Sequence, residues 1–126
     1  ESSVGVFAAD ALDPFGSKQF DVVYCTLFAH HLDPPDVVRL LTGMAARARQ
    51  LVIVDDLIRS RLGYTLAWIG TRLLSRSWVV HHDGPLSVKA AFTPTEILDL
   101  ASQAGLCDCL LEWTWPERYR LCWRPN

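Results

Sequence analysis

The sequence predicts an α/β fold with a mainly parallel sheet that ends in an antiparallel strand pair. Three observations carry this prediction. Two short apolar runs, Phe20–Cys25 and Leu51–Val54, flank a stretch with helical apolar spacing, which is the pattern of a βαβ unit. Those runs are nearly continuous rather than alternating, as in strands covered on both faces. The last two β-rich segments, 107–115 and 118–124, are joined only by Pro116-Glu117, a link so short that the pair must be antiparallel.

Each element can be justified in turn. Val4-Gly-Val-Phe-Ala-Ala9 is an apolar run closed by Asp10 and is expected to form a first, buried strand. Leu12 to Ser17 carries turn chemistry, with Asp13-Pro14 and Gly16-Ser17. Phe20-Asp21-Val22-Val23-Tyr24-Cys25 is rich in β-branched and aromatic residues and reads as a second strand. It leads into Thr26-Leu27-Phe28-Ala29-His30-His31. Asp33-Pro34-Pro35 opens a helix, with Asp33 as cap and proline in the first turn, where its missing N–H would be unpaired anyway. Val37, Leu41, Met44 and Ala48 then recur at helical spacing, and Arg39, Arg47 and Arg49 lie off that stripe. Leu51–Val54 forms a third strand, parallel to the second through a right-handed crossover, and ends at Asp55-Asp56.

Residues 59–78 are helical in pattern, with Leu62, Leu66, Ile69 and Leu73 on one face and Arg59, Arg61, Arg72 and Arg76 punctuating it. His81 to Leu86 is expected to be a loop, with Asp83-Gly84 as a turn. Thr93-Pro94-Thr95-Glu96 begins a last helix as a capping box. Ile97, Leu98, Ala101 and Ala104 form its buried face and Gly105 its stop.

Composition excludes several classes of function. The chain has 126 residues, of which half are hydrophobic and 21% charged, so it is not a disordered segment. Twelve basic against 14 acidic residues leave a net charge of −2, without the positive balance that nucleic-acid binding needs. No apolar run is long enough to span a membrane and no secretory signal is visible, so a cytoplasmic location is expected. The length suits one domain. The four cysteines sit in apolar runs as reduced, packed thiols. Cys107-x-Cys109 is tighter than usual zinc spacing, and on a strand the two thiols would share one face by packing alone, so no metal is expected.

These motifs, in this order, resemble the C-terminal two thirds of a class I, Rossmann-like S-adenosylmethionine-dependent methyltransferase. The residues carrying the resemblance are Ala9-Asp10-Ala11 with Pro14-Phe15, Phe20-Asp21-Val22-Val23, His30-His31, Leu51-Val52-Ile53-Val54-Asp55, Phe92-Thr93-Pro94-Thr95-Glu96-Ile97 and Ala104-Gly105-Leu106. The nearest group is the quinone-biosynthesis-like enzymes of small molecules. The resemblance implies a single partial domain over residues 1–126, with residues 57–92 as a lid or substrate-region insertion. One departure is clear. The family's acidic-Gly-x-Gly-x-Gly loop is absent, since no Gly-x-Gly occurs. The resemblance therefore begins just before the family's third strand, as in a fragment.

The resemblance implies S-adenosylmethionine as cofactor and a small, partly apolar acceptor of the phenolic, quinone or polyketide kind. Asp10 matches the acidic residue that reads the adenine amino group, with Ala11 beside it. Thr26, Leu27 and Phe28 would floor the site beneath the methionine part. His30 and His31 sit where the crevice opens, and His31 is a candidate base, set against the plainer role of a helix-start histidine. His81-His82-Asp83 is the densest cluster, and His81 and His82 are candidate bases oriented by a carboxylate. Asp55 and Asp56 end a strand at the crevice, where they could bind a cation or a substrate amine, or cap the next helix. The rival reading is a catalytically inactive methyltransferase-like module for binding or dimerisation, which an exposed aromatic patch of Trp113, Trp115, Tyr119 and Trp123 would support. Any self-association is expected to take the form of a homodimer.

Overall fold

The computed structural model describes residues 4–6, 8–13 and 18–126. Its four-stranded sheet runs β1 (Phe20–Thr26), β2 (Ala48–Leu57), β4 (Arg118–Trp123), β3 (Leu110–Thr114) in spatial order. β1 and β2 are parallel, with Val23 opposite Val52 and Thr26 opposite Asp55. β2 pairs antiparallel with β4, and β4 with β3. The βαβ unit read from the sequence is therefore present, with α1 (Pro34–Arg47) as its crossover.

The helices around the core obey their local chemistry. Asp33 sits at the N-cap of α1 without a side-chain bond, and its carbonyl accepts from the Asp36 and Val37 N–H groups. At α4 (Pro94–Gln103) the full capping box forms: Thr93 Oγ1 accepts from Glu96 N–H, and Glu96 accepts from Thr93 N–H. Gly105, at φ +83°, ends that helix with the Leu106 N–H returning to the Ala101 carbonyl, a conformation that glycine adopts without a Cβ clash. Val37, Leu41 and Met44 of α1, Val52 and Val54 of β2, Ile97 and Ala101 of α4, and Tyr119 and Leu121 of β4 close one core.

That core lies on one face of the sheet. On the other face, Val22 and Tyr24 of β1 and Leu110 of β3 are exposed, while Leu51, Ile53 and Cys122 are half-buried. Among the described residues β1 pairs only with β2, so its outer edge is open.

Several sequence expectations are corrected. The strand expected at 4–9 does not form among its described residues: Val4 and Val6 are over 90% exposed, with no strand beside them to pair with. Phe7, Pro14, Phe15, Gly16 and Ser17 lie outside the described residues. The segment 59–78 is not one helix. α2 (Arg61–Leu74) is capped by Ser60, whose Oγ accepts from Gly63 N–H, and the chain then breaks before α3 (Trp78–Ala90). The expected loop 81–86 is helical and belongs to α3, with Pro85 inside it. A Cβ at Gly84 would meet Thr71 Cγ2 at 2.6 Å, so the glycine lets α3 lie close on α2. Leu98 is exposed, and Leu100 takes its place in the core. Cys107 and Cys109 precede β3 rather than lying on a strand, with Asp108 in a left-handed turn between them.

The α2–α3 excursion is closed at its base. Ile58 bridges to Phe92, and Arg59 N–H donates to the Phe92 carbonyl. An ion pair between Arg59 and Glu96 ties the same point to α4.

Candidate functional site

The C-terminal ends of the parallel strands β1 and β2 lie side by side, where open α/β sheets bind ligands. After β1 the chain turns sharply. Leu27 adopts φ +50°, and its N–H donates to the Asp55 carbonyl, extending the β1–β2 ladder by one bond. A non-glycine residue in that region stores strain of roughly 1 kcal/mol or more. The turn delivers Ala29–His31 as a short 3-10 turn directly above β2.

His30 is buried there against Asp56. Its Nδ1 lies 2.6 Å from Asp56 Oδ1, and its backbone N–H donates to Asp56 Oδ2 at 3.1 Å. The Leu57 N–H donates to Asp56 Oδ1 as well. Burial pushes the Asp56 carboxyl up. The bonds from His30 and Leu57, with the histidine's charge, outweigh burial and hold it below the usual carboxylate range. An ionised carboxylate only accepts, so His30 Nδ1 carries a proton and donates to Asp56, which leaves Nε2 as the ring's other polar atom. The sequence places both histidines at the crevice but favours His31. The parallel register, Thr26 beside Asp55, is the signal that points to the His30–Asp56 pair.

His31 is exposed and lies with its ring centroid 4.0 Å from that of His30. Both border a cavity of about 430 Å³ whose other wall is α3, through Asp83, Leu86, Ser87 and Ala90. His81 and His82 are not brought to this cavity. His81 Nε2 is bound to the Ser75 carbonyl at 2.7 Å, and His82 stacks on Trp78. The two instead line a separate space of about 200 Å³ between α2 and α3. Asp83 orients neither of them, which corrects the expected cluster. Arg72 lies over the Trp68 ring at 3.9 Å.

Asp55 does not cap α2 either. It is 5% exposed and is held by Arg118 and by Arg120, at 3.2 Å. Arg118 also donates to Thr26 Oγ1 at 3.3 Å, so the Thr26 hydroxyl is fixed at the strand end. Burial and the Asp56 charge push the Cys25 thiol up to about 11, which keeps it protonated.

The expected cofactor residues are divided. Ala11 and Phe28 share one apolar cavity of about 330 Å³ with Leu12, Tyr24 and Met44, opening at the edge of β1. Asp10 closes a turn at its rim: Oδ1 accepts from Leu12 N–H at 2.9 Å, and its carbonyl accepts from Asp13 N–H. Thr26 and Leu27 stand at the strand end and are not part of this lining. Among the described residues no three His, Cys, Asp or Glu side chains are grouped to hold a metal ion, and no helix is long and apolar enough to cross a membrane.

No family model matches the chain, and no curated protein matches it. Solved structures do. Human N-acetylserotonin methyltransferase in complex with S-adenosylmethionine matches at a TM-score of 0.65 and 17% identity, over 95% of this chain and 33% of that one. A protein described as an O-methyltransferase from Nostoc punctiforme matches at 0.63 and 18%, over 94% and 36%. A protein described as a pericyclic reaction enzyme matches at 0.59 and 15%, over 94% and 29%. The chain thus spans about a third of the length of each of these structures. What they share with it is the fold: the α/β sheet of the C-terminal portion of methyltransferase structures.

Proposed function

We propose that this chain is the acceptor-side portion of an S-adenosylmethionine-dependent methyltransferase for a small, partly apolar hydroxyl compound, phenolic, quinone or polyketide in kind. The observation that carries the reading is the buried His30–Asp56 pair, set at the strand ends with a cavity beside it. The solved neighbours with S-adenosylmethionine or S-adenosylhomocysteine bound support the cofactor.

The residues fit one end of that cofactor. The apolar cavity at Ala11 and Phe28 suits a flat adenine ring, and Asp10 keeps one carboxylate oxygen available at its rim. Thr26 and Leu27 lie toward the acceptor side. A Gly-x-Gly loop for the amino-acid end is missing from residues 1–126, so that end calls for further polypeptide. When bound, the cofactor supplies a methyl group on a cationic sulfur, whose C–S bond breaks with its electrons left on sulfur.

The chain's own residues supply alignment and a proton acceptor. The acceptor hydroxyl gives its proton to His30 Nε2 as its oxygen forms the new bond to carbon. Asp56 stabilises the resulting imidazolium and holds the ring in one tautomer. Holding the acceptor oxygen in line contributes the larger part of the rate. His31, beside His30, fits the cavity wall better than the role of base.

Calorimetric titration of the folded chain with S-adenosylhomocysteine tests the cofactor assignment. Saturable binding that weakens in Asp10→Ala supports it, and binding that is unchanged in Asp10→Ala contradicts it.

A second reading, a binding or dimerisation module without catalysis, draws on the exposed sheet face, the open β1 edge, and Trp113 and Trp115, which are 59% and 82% exposed. Tyr119 belongs to the core and adds nothing to that patch. Sedimentation of the chain separates the readings: a stable dimer that binds no S-adenosylhomocysteine favours the module.

A further inference from the structure

The α3 residues that wall the His30 cavity are Asp83, Leu86, Ser87 and Ala90. They are spaced i, i+3, i+4 and i+7 and so form one stripe of the helix. His82 and Lys89 line the space on the α2 side instead, with Tyr64 and Trp68. Among the described residues Asp83 is the one acidic residue lining the His30 cavity; its side chain is exposed, and its carboxylate makes no hydrogen bond or ion pair with another described residue. The other carboxylate nearby, Asp56, is taken up by His30. The polar lining of the cavity is thus the imidazoles of His30 and His31, the carboxylate of Asp83 and the hydroxyl of Ser87, with Leu86 and Ala90 giving it apolar wall.

Resting on the methyl-acceptor reading above, the geometry points to Asp83 as the residue that selects the acceptor. The compound it selects is an aromatic hydroxyl compound carrying a second hydrogen-bond donor, an ammonium or a hydroxyl, away from the reacting group. His30 takes the reacting hydroxyl and Asp83 holds the second donor. A ring with a short side chain fits the volume of about 430 Å³. A carboxylate here accepts from either donor and repels acceptors with an anionic side chain.

The test uses three phenols that differ only at the end of the side chain: tyramine (ammonium), tyrosol (hydroxyl) and para-ethylphenol (neither). Binding to the 126-residue chain is followed by the imidazole NMR signals of His30 and His31. Tyramine and tyrosol are expected to bind more tightly than para-ethylphenol, tyramine by roughly fivefold. Asp83→Asn should remove the ammonium preference and Asp83→Leu both preferences, while His82→Ala keeps them. Equal binding of all three phenols, a preference that survives Asp83→Leu, or no response at either histidine would overturn the assignment. A preference that needs Asp83 in a chain whose S-adenosylhomocysteine binding is indifferent to Asp10→Ala would leave the assignment standing and remove the methyl-transfer reading. Cofactor binding with no preference would do the reverse.

Discussion

His30 and Asp56 are 26 residues apart in sequence, yet His30 Nδ1 and Asp56 Oδ1 lie 2.6 Å apart in a place where both side chains are nearly inaccessible. Two parallel strands ending side by side create that proximity, and the left-handed turn at Leu27 completes it. The pair fixes the end of β1 to the end of β2, and it leaves one ring nitrogen of His30 without a partner among the described residues.

Asp56→Asn should destabilise the fold by about 1–3 kcal/mol, because three bonds to a buried carboxylate are weakened together. Urea unfolding followed by circular dichroism measures this. Asp36→Asn, at an exposed i,i+3 pair with Arg39, should stay within about 0.5 kcal/mol of the parent.

The same carboxylate sets a pH dependence. Its folded pKa lies below the unfolded value of about 3.9. The stability it contributes is therefore fully present above pH about 4 and is lost as pH falls through the lower folded value. Urea midpoints measured downward from pH 6 should fall more steeply in the parent than in Asp56→Asn.

Gly84→Ala should destabilise the chain by about 1 kcal/mol, since a Cβ 2.6 Å from Thr71 Cγ2 outweighs the helix propensity that alanine gains. Removing that methyl should reverse the sign. In a Thr71→Ser background, Gly84→Ala should raise the thermal midpoint. A lower midpoint in both backgrounds would mean that the close approach of α2 and α3 is not the cause.

The turn at Leu27 can be probed by its backbone preference. Glycine tolerates φ +50° and a β-branched residue does not, so Leu27→Val should lower the thermal midpoint and Leu27→Gly should leave it near that of the parent. Equal losses in the two would assign the effect to the leucine side chain, which is 46% exposed.

Elements set by local chemistry could be read from the sequence. The βαβ unit followed from apolar runs around one helical stripe, α4 from Thr93 and Glu96, its end from Gly105, and the β3–β4 pair from a link that allowed no other geometry. What depended on neighbours could not. Val4–Ala9 has strand composition, yet a strand forms only beside a partner. Asp83-Gly84-Pro85 has turn composition, yet it is helical within α3, which packs closely on α2 at Gly84.

The site divides the same way. The crevice at the ends of β1 and β2 was legible from the strand assignments. That Asp56 pairs with His30 and not with His31, His81 or His82 was not, because adjacent residues leave a turn in different directions and only the register brings Asp56 beside one of them.

The most direct measurement is the nitrogen-15 shift of the His30 ring in the folded chain. The expected result is a protonated Nδ1 and a bare Nε2, with Nε2 shifting as a phenol is added and the tautomer preference weakening in Asp56→Asn. A proton fixed on Nε2, or a ring indifferent both to Asp56 and to phenols, would contradict the claim that this histidine is held to accept a proton from the bound acceptor.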